Sequence, residues 1–537
     1  MSNQFQWFKS FNNKLNWKLN GSSFLLLISF ANLIIYQIPL YKFAYNNIDI
    51  YSIAGVLTIL VVSTVIFSTT YFILLVVTLI SANLTKILTI ILALINSVAL
   101  YFVITYNVIL TKAMMGNIFN TQTREAFSFI SPQLFLYFFI FGVIPAYLLY
   151  KIKIIKNNRG YLIIQAIVIF TVTVIFIYIN SSSWLWIDRN AKRLGGMVMP
   201  WSYLINTARQ RAKPTVKDQI LLPPAIFSDN EKMLVVLVIG ESARAQNFSL
   251  YGYKQNTNPL LKSLNAIALK NTTSCATYTT AAVHCLLSYQ GDSSDKYEPL
   301  PNYLQRHGVD VTWRTKNWGE PALKVKTYQK DGELAKNCKG TGCKLDEVLL
   351  TDLKEQILSS KQKKQFIVLH TYGSHGPAYY KKYPKTFDHF QPSCQSIALD
   401  KCSNQELINA YDNTILYTDY FLSKTINILK SFKDIPTLLI YISDHGESLG
   451  EYNLYLHGTP FSLAPDFQKK VPFIIWMSES FKEKKSISED QLKQQKEHEP
   501  KNVFHSIIGA FGINSDIYDA RFDIFKEPLI KSGGISR

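Results

Sequence analysis

The sequence predicts a two-part chain, a polytopic α-helical membrane domain followed by an α/β domain with a mainly parallel central sheet. Two observations carry this. Long, almost uncharged apolar blocks fill the first third, and short β-rich apolar runs alternate with helix-like segments through the rest. At 537 residues the chain has room for more than one domain.

The apolar blocks are five, at about 22–41, 53–80, 87–110, 133–150 and 161–180. Each approaches or exceeds the ~20 residues that cross a bilayer core. The stretch SSFLLLISFANLIIYQIPL, at 22–40, contains no charge. A cleaved signal peptide would account for that block alone, and four more follow it. Globular core helices of this length normally show a polar face, which these lack. Five spans over 1–181 are therefore expected.

Charge supports the same organisation. Residues 1–200 hold 14 Lys+Arg against 3 Asp+Glu, a net of +11 out of the chain's +18. A nucleic-acid binder would gather its positive charge in one soluble patch, so no nucleic-acid partner is expected. Lys9, Lys14 and Lys18 precede the first block, and Lys151, Lys153, Lys156 and Arg159 separate the fourth from the fifth. With both segments cytoplasmic, an odd number of spans puts everything after about residue 182 outside.

The cysteines agree. Cys275, Cys285, Cys338, Cys343, Cys394 and Cys402 all fall in the external part, as three close pairs without a CxxC. This reads as a disulfide framework in an oxidising compartment, with free buried thiols as the alternative. Each pair, if closed locally, contributes roughly 2–3 kcal/mol.

A connector is expected over 182–230, where Trp184, Trp186 and Trp201 suit a membrane interface. From 231 to 537 the runs MLVVLVIG, VDVTWR, QFIVLHTY, TLLIYIS and VPFIIWM alternate with segments such as NQELINAYDNTILYTDYFLSKTINILKSF. Such α/β sheets bind ligands beyond the carboxyl ends of their strands.

Three runs end in ionisable groups. The first leads into Glu241, the third into His370 and His375, and the fourth into Asp444, His445 and Glu447, with His457 soon after. One histidine after a strand is usually structural. Carboxylates and imidazoles from three strand ends on one sheet edge point instead to zinc or a similar divalent ion. A nucleophile is available in TSCATYTTAAVHCLLSYQG, at 273–291, where small hydroxyl residues enter a helix-like segment. A helix N-cap is the plain reading of such a hydroxyl. The same place offers N–H groups to a phosphate, and a hydroxyl beside a metal loses its proton more readily.

The motifs GESARAQNFSLYGY, SCATYTTAAVHC, SHGPAYYKKYP and SDHGESLGE resemble the phosphoethanolamine transferases of Gram-negative bacteria. That family modifies lipid A, includes the colistin-resistance enzymes, and has the alkaline phosphatase and sulfatase fold; the resemblance covers the whole chain. It implies a catalytic zinc on Glu241, Thr279, Asp444 and His445, with Thr279 as the nucleophile that becomes phosphoethanolamine-modified. His375 and His457 would hold a second zinc or the substrate phosphate and protonate the leaving oxygen, and Glu447 would orient a ligand. The implied bridges are Cys275–Cys285, Cys338–Cys343 and Cys394–Cys402.

In MMGNIFNTQTREA, Asn117, Thr121 and Glu125 recur at spacing four and would share one helical face. The resemblance implies that they contact the lipid donor's headgroup. One stretch departs from the family: TKNWGEPALKVKTYQ follows VTWR, so Lys316 and Asn317 stand where an Asp-Asn pair is usual.

The resulting expectation is a monomeric inner-membrane enzyme with its catalytic domain in the periplasm. It takes phosphoethanolamine from phosphatidylethanolamine, carries it on Thr279, and passes it to an anionic envelope acceptor, foremost a lipid A phosphate, conferring polymyxin resistance. The rival is a phosphoglycerol transferase or another membrane enzyme of the same superfamily. A sulfatase would need a Cys/Ser-x-Pro-x-Arg motif, and nothing around Thr279 matches it. A transporter would place ionisable residues inside its spans, whereas the first, second, fourth and fifth blocks have none in their centres.

Overall fold

The computed structural model describes residues 17–121, 123–155, 158–212, 219–494 and 497–526. Lys9, Lys14 and Lys156 lie outside these, as does the side chain of Glu125. Four helices are long and apolar enough to cross a membrane: Ile53–Ile80, Ala82–Tyr106, Pro132–Lys151 and Arg159–Ile179. A fifth crossing is available if Gly21–Tyr36 and Ile38–Asn47, bent by 57°, form one broken span. Pro39 explains the break, because it has no N–H for the helical ladder and its ring crowds the preceding turn.

Hydrocarbon is the solvent these helices fit. Along Arg159–Ile179 only Leu162 and Thr173 are buried, while Ile163, Ile164, Ile167 and Phe170 face outward. An apolar surface of that extent is tolerated only in lipid. The polar groups between helices pair with one another: Ser68 lies 2.7 Å from Thr173, and Tyr203 donates to Asn96 Oδ1 at 3.0 Å. Lys18–Asn20 pairs in parallel with Lys153–Ile155, so two of the basic segments lie side by side. The described residues of Met1–Gly116 and Ile130–Lys213 form one compact unit, and those of Asn117–Phe129 and Pro214–Arg537 form the other.

The second unit is built on a seven-stranded sheet: β1 (Met233–Gly240), β2 (Ile267–Leu269), β3 (Asp310–Thr315), β4 (Thr327–Lys330), β5 (Lys364–His370), β6 (Thr437–Ser443) and β7 (Phe473–Met477). The strand order is β2-β7-β6-β1-β5-β3-β4. From β6 through β4 the pairing is parallel, and β7 runs antiparallel to both of its neighbours. Every residue of β1, β5 and β6 is buried. A sheet covered on both faces demands this, and it is why these strands read as unbroken apolar runs.

Two helices matter for the site: α1 (Thr279–Leu287) and α2 (Asn404–Leu429). A capping box starts α2, in which Ser403 and Glu406 satisfy each other's backbone N–H. The register of the central strands then decides which residues meet. Ile239 is opposite His370, Gly240 is opposite Ser443, and the Asp444 N–H donates to the Gly240 carbonyl at 3.0 Å. Three chain segments thus leave the sheet together at its carboxyl edge. The six cysteines form Cys275–Cys285, Cys338–Cys343 and Cys394–Cys402.

Candidate active site

At that edge Thr279, the first residue of α1, donates from Oγ1 to Glu241 Oε2 at 3.1 Å and lies 3.4 Å from His445 Nε2. It is not the N-cap, which is Tyr278. Its hydroxyl is turned instead to the strand ends. His445 Nε2 also lies 3.4 Å from Glu241 Oε1 and 3.3 Å from Asp444 Oδ2. Thr279, Glu241, Asp444 and His445 are all buried.

Several acceptors point into one small space. Asp444 Oδ2 makes no hydrogen bond among the described residues. His445 donates from Nδ1 to the Gly446 carbonyl at 3.0 Å, which leaves its Nε2 lone pair towards the two carboxylates. His375 likewise donates from Nδ1 to the Gly376 carbonyl at 2.7 Å, and His457 from Nδ1 to Glu447 Oε2 at 2.8 Å. Imidazoles anchored through one nitrogen, so that the other is presented, are the pattern of metal ligands. The ligand atoms of Glu241, His445 and His457 all lie within 4.8 Å of one another. This donor set fits a divalent cation.

The electrostatics agree. Burial pushes the Asp444 carboxyl well above the ordinary carboxylate range, and the neighbouring Glu241 carboxylate adds to it. Burial acts the same way on Glu241, but the imidazoles of His445, His375 and His457 outweigh it and hold that carboxyl below its usual value. His445 is pushed down to about 3 by burial and by His457. A cation in this closed space would stabilise the ionised form of both carboxyl groups and the neutral imidazole of His445 together.

The structure places His457, read from the sequence with His375 at a second position, within reach of the first: its ring is 4.3 Å from that of His445 and 5.2 Å from that of His375. Glu447 orients His457 and accepts from Tyr379 OH at 2.6 Å. His370 contacts Thr315 and Trp313, and burial lowers its pKa.

The shared helical face expected for Asn117, Thr121 and Glu125 is corrected by the structure. The stretch forms two helices, Lys112–Asn120 and Thr123–Ser128, with Thr121 between them. Thr121 donates from both its N–H and its Oγ1 to the Asn117 carbonyl, each at 2.8 Å. Neither Asn117 nor Thr121 is hydrogen-bonded to the strand-end cluster among the described residues.

Other contributors show no strand-end or metal-ligand signal in the sequence, although Asn317 stands in the stretch that departs from the family. Ser242 adopts φ 55°, uncommon for a residue with a Cβ, and so directs Oγ to Glu241 Oε1 at 2.7 Å and to within 3.3 Å of His457 Nδ1. Asn317 Nδ2 donates to Glu241 Oε2 at 2.7 Å. The Arg244 guanidinium lies over the rings of Tyr411 and Phe467 and donates to the Glu447 carbonyl and to Glu451, fixing the loop that carries Glu447. Gly373 packs on Glu241, whose carbonyl oxygen would sit 2.7 Å from any Cβ there. Its φ of +46° also favours glycine.

Comparison with known proteins agrees with this geometry. The sulfatase family matches residues 233–513, and the family described as phosphoethanolamine transferase EptA/EptB matches residues 66–214. Phosphoethanolamine transferase EptA of Helicobacter pylori is 41% identical over 506 residues, covering 90% of this chain and 92% of its own. EptA of Salmonella typhimurium is 33% identical over 538 residues, covering 95% and 97%. The structure of the integral membrane protein lipooligosaccharide phosphoethanolamine transferase A from Neisseria meningitidis matches with a TM-score of 0.87 at 27% identity, over 94% of this chain and 98% of that one.

Fold and site together define a membrane protein with a sulfatase-like catalytic domain. Within that class the chain belongs to the phosphoethanolamine transferase family.

Proposed function

We propose that this protein transfers phosphoethanolamine from phosphatidylethanolamine to a lipid A phosphate through a phosphoethanolamine-Thr279 intermediate, on the periplasmic side of the inner membrane. The observation that carries the reading is the position of Thr279 Oγ1, 3.1 Å from Glu241 and 3.4 Å from His445 at the sheet's carboxyl edge. Glu241, Asp444 and His445 would hold a zinc ion beside Thr279. Zinc there would act as a Lewis acid towards a phosphoryl oxygen and make the hydroxyl easier to deprotonate.

In the first half-reaction Thr279 Oγ1 attacks phosphorus, the bond to the glycerol oxygen breaks, and diacylglycerol leaves as the neutral alcohol. The proton lost by Thr279 is taken up within the cluster. His457, oriented by Glu447, supplies the one that the leaving oxygen needs. In the second half a hydroxyl oxygen of the acceptor phosphate attacks the same phosphorus and its proton passes to His457, the Thr279 Oγ1–P bond breaks, and the threonine recovers the proton that the cluster had taken up. The N-terminal N–H groups of α1 face the charge that develops on the phosphoryl oxygens. Phosphate added to lipid A as phosphoethanolamine brings an ammonium group with it, which lowers attraction for cationic peptides such as polymyxin.

The test is the intact mass of the full-length protein in detergent after incubation with phosphatidylethanolamine, beside Thr279→Ala. One phosphoethanolamine increment on wild type alone establishes donor, nucleophile and first half-reaction. An increment of phosphoglycerol size, formed with phosphatidylglycerol, would assign the protein to the phosphoglycerol transferases.

A further inference from the structure

Next to the strand-end cluster lies a cavity of about 280 Å³ that the reaction above does not use. Among the described residues its wall carries four lysines, Lys316, Lys344, Lys381 and Lys382, and one carboxylate, Asp346. That carboxylate is already engaged, because its two oxygens accept the N–H groups of Tyr372 and Gly373 at 2.8 and 2.9 Å. An anion entering this space would be attracted by the exposed ammonium groups of Lys344 and Lys381 as well as by the two lysines held in its wall.

Two of the lysines are held in place. Lys316 is nearly buried and paired with Asp331 at 3.1 Å. The Lys382 ammonium lies 3.6 Å above the centre of the Tyr372 ring. Lys344 and Lys381 are exposed at the rim. The cavity is smaller than the roughly 300–1,000 Å³ of sites for whole drug-sized ligands, so it accommodates part of a headgroup. Phe127 adds an apolar edge, as an amphiphilic ligand would use.

The cavity shares its walls with the catalytic cluster. Tyr372 stacks on His375 with ring centres 5.3 Å apart. Gly373 packs on Glu241, and Lys316 precedes Asn317, which donates to that same glutamate. An anion here is therefore beside the reacting phosphate but separate from it. The donor lipid does not supply such an anion, since its single phosphate is the group transferred and its ammonium is repelled by lysine.

We propose that this cavity is a subsite for a second phosphate of the acceptor, so that the enzyme selects glycolipids bearing two phosphates over those bearing one. The proposal rests on the phosphoethanolamine-transfer reading. The full-length protein in detergent is loaded with phosphatidylethanolamine and then offered bis- or mono-phosphorylated lipid A, with transfer read by mass spectrometry. Wild type is compared with Lys344→Glu/Lys381→Glu and with Lys344→Gln/Lys381→Gln. The expected result is a preference of about tenfold for the bis-phosphorylated acceptor in wild type, the size of one charge-assisted hydrogen bond. Both variants should lose that preference while loading within about twofold of wild type, because charge at the rim acts on the anionic ligand.

A wild type that loads but does not discriminate overturns the subsite and leaves the transfer reading standing. Variants that keep the preference overturn it as well. Variants that transfer poorly because they no longer load show that the lysines serve the donor or the fold, which also overturns it. Loss of the preference on adding excess inorganic phosphate, with the mono-phosphorylated rate unchanged, supports a phosphate-binding subsite. Equal inhibition by vesicles of an anionic phospholipid would instead mark the cavity as a general lipid-headgroup site and overturn acceptor selection. A wild type that never loads removes the transfer reading itself.

Discussion

Thr279 Oγ1 and Asn317 Nδ2 donate to the same oxygen of Glu241, at 3.1 and 2.7 Å. The carboxylate that follows β1 is thus aimed by a residue that follows β3 while it faces the first residue of α1. Asn317→Ala should leave the fold intact and slow formation of the phosphoethanolamine adduct about tenfold or more, because a hydrogen bond to a charged group contributes about 1.5–3 kcal/mol. Single-turnover loading monitored by intact mass measures this. A loading rate equal to wild type would mean that Glu241 is held without Asn317.

Removing the metal should abolish loading and lower the melting temperature, and adding zinc should restore both. A ligand at about 100 times its Kd stabilises the folded state by about 2.7 kcal/mol. Thermal melts of chelated and zinc-supplemented protein give that difference directly. A chelated protein, confirmed metal-free, that still loads would exclude a metal from the first half-reaction.

Cys275–Cys285 closes a loop of sequence separation 10 around the start of α1, and Cys394–Cys402 closes one of 8 ahead of α2. Replacing either pair by serine should cost roughly 2–3 kcal/mol. Only the first should also slow loading, because only it spans the chain that positions Thr279. Equal loading by the two variants would show that the bridge at α1 contributes stability alone.

Stability should fall with rising pH through one identifiable group. Asp419 in α2 accepts the N–H groups of Leu260 and Leu261, each at 2.9 Å, and burial pushes its carboxyl up to about 7. In the unfolded chain it titrates near 3.9, so between about pH 4 and 7 the folded state holds the extra proton. The stability this gives is complete below about pH 4 and is lost as pH rises through 7. Relative to Asp419→Asn, wild type should lose on the order of 3–4 kcal/mol between pH 4 and pH 8, at 1.36 kcal/mol per unit of pKa. Melting curves at stepped pH check this. Parallel curves for the two proteins would remove Asp419 as the cause.

The sequence by itself determined the broad division of the chain and most of the chemistry at its centre. Lipid cannot hydrogen-bond to a backbone, so a span must be a long apolar helix, and four such helices with one bent pair stand where the apolar blocks lie. A parallel sheet buried on both faces must be built from continuous apolar runs, and all its parallel strands end at one edge. For that reason Glu241, Asp444 and His445 were recognisable as neighbours although some 200 residues separate the first from the others.

Only the tertiary structure decided what lies between those strand ends. Ser242 at φ 55°, Asn317 on Glu241, Tyr379 on Glu447 and the lysines around Asp346 carry no periodic or spacing signal. The break between Lys112–Asn120 and Thr123–Ser128 interrupts a helical pattern sound over its length. The position of His457 is likewise decided by Glu447 at 2.8 Å and by the loop that Arg244 holds. Solvent preference and strand direction are properties of segments and show in the order of residues. Contacts between side chains from different loops are properties of register and packing, and they come into existence only when the chain has folded.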